Sequence, residues 1–168
     1  MKIIQNPDPI LRKKAEKIEK IDAEIKKIIV KMKKIIRSSP AAVALAAPQI
    51  GINKAIVATG FKPKEKDVEA IPELCLINPK IIKSSVEIIK DEEGCLSLMD
   101  KEEIRGNVER AKEIEVEALD EKGKSQKIKA RDFFARVLQH EIDHLNGVLF
   151  IDKADPNTIY KVDHEKKD

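Results

Sequence analysis

Aromatic residues are almost missing from this chain: four Phe, one Tyr and no Trp in 168 residues. That scarcity removes the stacking platforms on which single-strand nucleic-acid binders lay their bases. An excess of charge of one sign is missing as well. There are 33 basic and 30 acidic side chains, and a net charge of +3 spread along the chain argues against nucleic-acid specificity. No apolar run approaches the length that crosses a bilayer. The opening Met1-Lys2-Ile3-Ile4 passes at once into Asn6-Pro7-Asp8-Pro9, with no apolar stretch of a signal peptide. Cysteine is limited to Cys75 and Cys95, and without an export signal reduced thiols are expected rather than a disulfide. A cytoplasmic protein that does not enter membranes is the expectation. Its length suits one domain, taken as residues 1–168, with enough chain to bury a core unaided.

Against this background the apolar periodicities are readable. Ile25, Ile28, Ile29, Met32, Ile35 and Ile36 recur at helical spacing with lysines on the other face, which predicts an amphipathic helix from Asp22 as N-cap to a stop at Pro40. Short β-type runs follow at 55–59, 74–78, 86–90, 114–119 and 127–130, and Glu121-Lys122-Gly123-Lys124 reads as a hairpin tip. A second helix is predicted from Asp132, with Phe134, Val137, Leu138, Ile142 and Leu145 on its apolar face and Asn146-Gly147 closing it. The expected architecture is α+β, with short antiparallel sheets around the second helix and the amphipathic helix near the N-terminus. After about residue 156 the pattern predicts a short helix and a charged tail.

Histidine is scarce too, yet two of the three stand four apart in "QHEIDHLNG", residues 139–147. On a helix that spacing puts His140 and His144 on one face, one turn apart, with Glu141 about 100° round the axis. The arrangement can present two imidazoles to one metal ion and a carboxylate to its water. The competing reading is a pair of surface histidines near a helix C-terminus, where positive charge is mildly favoured. A catalytic metal needs a third protein ligand. Downstream lie only His164 and Glu165, both in the charged tail. Upstream, in "DEEGCLSLMD" (91–100), Cys95 follows Gly94, whose freedom of backbone lets the chain pass close to a metal. Thiolate is a strong ligand for Fe²⁺ or Zn²⁺. Cys75, inside the apolar run "ELCLINPK", reads as an inert buried thiol.

Glu93-Gly94-Cys95-Leu96-Ser97 and Gln139-His140-Glu141-Ile142-Asp143-His144, in this order, resemble two signature motifs of the peptide deformylases. "NPDPILRKKAEKI", "INPKI", "ERAKEIEVEALDEKGK" and "HLNGVLFID" extend the resemblance over nearly the whole chain. The resemblance implies hydrolysis of the N-formyl group from N-formylmethionyl nascent peptides, giving formate and a free N-terminus. It implies Cys95, His140 and His144 as ligands of one divalent ion, usually Fe²⁺, with Zn²⁺, Ni²⁺ or Co²⁺ as substitutes. It further implies Glu141 as general base, and the Leu96 backbone N–H with the Gln49 amide as donors to the oxyanion. The peptide would run beside Val43, Ala44 and Gly94, and Ile142 with Val43 would wall the methionine pocket. The partners implied are formylated peptides and, transiently, the ribosome.

Two departures from the family pattern stand out. A first signature with glycines at its first and third positions reads here Ala42-Val43-Ala44-Leu45-Ala46-Ala47-Pro48-Gln49. Two methyl groups therefore border the expected peptide track, and they are tolerated only if the backbone there is ordinary β. After Ser97 the family continues with an apolar residue and proline, whereas this chain has Leu98-Met99 and then a charged run to Glu103, expected to be a solvated loop. Two other readings stay open on the residues: an HExxH peptidase with a downstream third ligand, and a catalytically silent relative that keeps the metal.

Overall fold

The computed structural model describes residues 2–39, 42–61, 70–99 and 102–162. The first predicted helix is α1, Ala23–Ser38, and it starts where expected because the Asp22 carboxylate accepts the N–H groups of Glu24 and Ile25, each at 3.0 Å. Ile25, Ile28, Ile29, Met32 and Ile36 form its buried stripe. Pro40, read as its stop, lies outside the described residues.

Eight strands follow among the described residues: β1 Ala44–Ala46, β2 Ile56–Phe61, β3 Ile71–Ser84, β4 Ile88–Gly94, β5 Glu103–Ala111, β6 Glu113–Leu119, β7 Ser125–Arg131 and β8 Tyr160–Val162. They form a five-stranded sheet in the order β1-β2-β3-β6-β7 and a three-stranded sheet in the order β4-β5-β8, antiparallel at every pairing. The β6–β7 hairpin turns at Gly123 (φ 83°), within the expected tip. The last helix, α2, spans Asp132–Leu145.

The five-stranded sheet separates the two helices. On β2, Ile56 and Ala58 join the core of α1, while Val57 between them joins that of α2, as the period of two requires. Phe134, Ala135, Leu138, Ile142 and Leu145 of α2 pack with Val57, Leu76, Ile114 and Val116. The other side of α2 meets the three-stranded sheet, where Arg136 donates to the carbonyls of Ile89 and Val108. The domain is thus α+β with α2 at its centre.

Several expectations need correction. β5 is not among the expected β-type runs, because its inward row carries Gly106, Val108 and Arg110, which give no apolar alternation. Glu103 in the run expected to be solvated begins that strand, is buried and pairs with Arg105; Asp100 and Lys101 lie outside the described residues. β3 is far longer than 74–78, and β4 runs on to Gly94 but leaves Val86 outside it, almost fully exposed. The segment after Asp155 is a 3-10 turn, Pro156–Thr158, and then β8, because the edge of β5 offers it strand pairing. His164 and Glu165 lie outside the described residues.

Candidate metal centre

α2 delivers the two imidazoles. His140 and His144 lie one turn apart with ring centroids at 5.0 Å and ring planes at 70°. β4 delivers the sulfur: the chain leaves that strand at Gly94, and Cys95 opens a 3-10 turn, Leu96–Leu98. Cys95 Sγ stands 3.2 Å from His144 Nε2, and one donor atom from each of Cys95, His140 and His144 falls within 4.8 Å of the others. At Gly94 the neighbour that a side chain would meet is Arg105. A Cβ there would stand 3.0 Å from Arg105 Nε, so the glycine makes room for the guanidinium that crosses it.

A buried ionic cluster fixes His140. Its Nδ1 donates to Glu93 Oε2 at 2.9 Å, which leaves Nε2 as the nitrogen from which a cation would displace the proton. Glu93 also accepts from Arg110 Nε at 2.9 Å and Nη2 at 3.0 Å, and from Arg136 Nη1 at 2.7 Å. Burial works against its charge, but the hydrogen bonds from His140 and Arg110 outweigh that and hold the carboxyl well below the usual range. Arg110 reaches on to Asp143, which Lys153 also holds at 2.7 Å. Arg110 and Arg136 are not among the residues that the sequence singled out. The available signal was spacing, since Arg136, His140 and His144 recur every fourth residue on one helix face.

The other groups face the same place. Burial, together with the nearby positive charges of His140 and Arg110, pushes His144 well below its ordinary value, so its ring is neutral. Burial likewise raises Glu141 to about 7, against the pull of His140. Glu141 Oε2 and His144 Nδ1 are buried without a hydrogen-bond partner among the described residues. Gln49 Oε1 accepts the Ala46 N–H at 2.8 Å, which settles the amide's orientation. Its Nε2 therefore points to Cys95 Sγ (3.7 Å) and Ser97 Oγ (3.4 Å).

Cys95, His140, Glu93 and Arg136 line a cavity of about 310 Å³, within the size of small-ligand sites. Val43, Ala44, Gly94 and Leu96 line it, as do Gln49 and Glu141. Ile142, expected in its wall, instead lies in the core between α2 and the five-stranded sheet; Val137 and Phe133 supply apolar wall in its place. Neither Ala42 nor Ala44 has a positive φ, and Ala44 pairs with Thr59 in β1, so the two alanines sit in backbone that any residue adopts. Cys75, read as inert, is a free thiol on β3 that burial pushes up to about 12.

An HExxH helix whose two histidines meet an upstream cysteine, beside a buried glutamate, defines a metallohydrolase centre. The comparisons make it specific. The family model described as polypeptide deformylase matches residues 1–159. Peptide deformylase 1 of Nostoc is 43% identical over 148 residues, covering 88% of this chain and 75% of that protein. The peptide deformylase of Thermodesulfovibrio yellowstonii is 40% identical, covering 93% and 90%. Among solved structures, the Ehrlichia chaffeensis peptide deformylase superposes with a TM-score of 0.83 at 34% identity, covering 94% and 89%. The Synechococcus elongatus enzyme, solved in complex with actinonin, superposes with 0.80 at 37% identity, covering 92% and 79%. The chain belongs to the polypeptide deformylase family. Its activity is that of the family: metal-dependent hydrolysis that frees the N-terminus of N-formylmethionyl peptides.

Proposed function

We propose that Cys95, His140 and His144 hold one divalent cation, Fe²⁺, and that residues 1–168 act as a single catalytic unit. The observation that carries this is the convergence of a thiol and two imidazoles within 4.8 Å at a cavity that also holds the unpartnered Glu141 Oε2. The donors fit such an ion: soft sulfur and neutral imidazole suit Fe²⁺ and equally admit Zn²⁺, Ni²⁺ or Co²⁺. When bound, the cation supplies Lewis acidity, acidifying a water and polarising the formyl carbonyl.

Glu141 takes the proton of the attacking water, a task suited to a carboxyl raised to about 7. The Gln49 amide, held by Ala46, and the Leu96 N–H donate to the oxyanion as the carbonyl becomes tetrahedral. Glu141 then passes its proton to the amine nitrogen as the C–N bond breaks, leaving formate and a free N-terminus. Glu93 and Arg136 keep the His140 ring in one tautomer throughout. Val43, Ala44 and Gly94 border the peptide, with Val137 and Phe133 as the apolar wall for methionine.

Transient contact with the ribosome follows from a nascent-chain substrate, and the cytoplasm is the place of work. No helix among the described residues is long and apolar enough to cross a membrane. The test is anaerobic purification with metal analysis, followed by formate release from formyl-Met-Ala-Ser. The expected result is one equivalent of metal and turnover that fades in air. Cys95→Ser should abolish or alter metal binding; a variant that keeps its metal would support a peptidase-type site instead.

A further inference from the structure

Both proposed oxyanion donors sit on short 3-10 turns rather than on long elements: Gln49 in Ala47–Ile50 and Leu96 in Leu96–Leu98. Such donors help only if their positions are set before the reaction. One segment near the N-terminus touches both turns. Ile4 N–H donates to the Gln49 carbonyl at 2.8 Å, and Asn6 N–H donates to the Ser97 carbonyl at 2.9 Å. Between them, the Gln5 carboxamide spans the second turn from outside. Its Nε2 donates to the Leu96 carbonyl at 2.9 Å, and its Oε1 accepts the Met99 N–H at 3.1 Å. Gln5 Nε2 also reaches the Ile3 carbonyl, two residues back, at 3.4 Å, which orients the side chain along the strap.

Resting on the site assignment above, we propose that Gln5 is a positioning residue for the hydrolysis. It hydrogen-bonds to none of Cys95, His140 and His144 and is not itself in the cavity lining, yet through the Leu96 carbonyl and the Met99 N–H it clamps the turn that begins at Leu96, and the strap around it ties that turn to the one carrying Gln49. With the clamp gone, Leu96 and Met99 each lose a partner, and the Leu96 N–H no longer keeps a single direction. The Gln49 amide, bonded to Ser97 Oγ on the same turn, is loosened with it. The substrate's ground state gains little from these donors, so the loss falls on the transition state.

The test compares the full-length, metal-loaded wild type with Gln5→Ala and Gln5→Glu on formyl-Met-Ala-Ser. Losing an oxyanion donor outright costs about 10²–10³ in kcat, so loosening one is expected to cost about tenfold. Gln5→Ala should therefore lower kcat about tenfold, with KM and bound metal unchanged and faster amide exchange at Met99. Gln5→Glu keeps the acceptor for Met99 but loses the donor to Leu96, and its kcat should fall between the two; it decides the matter if the alanine variant does not fold. Unchanged kcat in either folded variant overturns the inference alone. So does a loss of kcat that merely follows loss of metal or of global stability. A wild type that releases no formate overturns the site assignment and this inference with it.

Discussion

Replacing Glu93 by Gln keeps the shape of the side chain while removing the charge on which three cationic groups converge. The carboxylate accepts four hydrogen bonds, two from Arg110 and one each from Arg136 and His140, and both arginine side chains are nearly inaccessible to solvent. A glutamine offers one acceptor oxygen and turns an NH₂ group towards donors. Breaking a buried ion pair costs about 3–5 kcal/mol. The lower end applies, since Arg110 keeps Asp143 and Arg136 keeps the carbonyls of Ile89 and Val108. A loss of about 3 kcal/mol lowers Tm by about 6–12 °C in a chain of this size. His140 also loses the acceptor that fixes its tautomer, which should weaken metal binding about 10–100-fold. Thermal unfolding of the apo-protein and competition with a chelator measure the two effects separately. A Tm within 2 °C of wild type, with metal retained as tightly, would refute the reasoning, because it would mean that the cluster neither holds the fold nor orients the ligand.

Gly147→Ala should cost about 2–4 kcal/mol in urea unfolding: its φ is 73° and a Cβ would stand 2.5 Å from the Arg12 carbonyl oxygen, so strain and clash add. Leu138→Ala, at a position with no exposure at the contact of α2 with the five-stranded sheet, should cost about 2–5 kcal/mol by the same measurement. Cys75 has a folded pKa raised above its ordinary value, so its contribution is complete below about pH 9 and is lost as pH rises towards about 12. In a Cys95→Ser background, Cys75 should resist a thiol reagent at pH 8 until the protein unfolds; rapid labelling of the folded form would contradict its burial.

The helices were legible because each buries an apolar stripe against the five-stranded sheet, so a 3.6-residue period survives in their sequences. β5 was not, because its inward row trades an apolar residue for Arg110, which satisfies Glu93 rather than the core. β1 escaped notice because three apolar residues, all buried, carry no alternation. His140 and His144 announced themselves by spacing, and Cys95 by its glycine and acidic neighbours. Arg110 and Arg136 stayed hidden because charge in a sequence reads as surface unless its partner is known. Ile142 was misplaced for an angular reason: it is one residue beyond Glu141, and the 100° step of the helix turns it from the cavity to the sheet. Val43 and Ala44, which line the cavity, were named on resemblance, since nothing in their own pattern marks a groove.

X-ray absorption at the metal edge of the anaerobically purified, metal-loaded protein addresses the centre itself. One sulfur and two imidazole nitrogens in the first shell, with the sulfur at about 2.3 Å in the zinc-loaded form and absent in Cys95→Ser, is the predicted result. A first shell of nitrogen and oxygen only, unchanged by that substitution, would contradict the account.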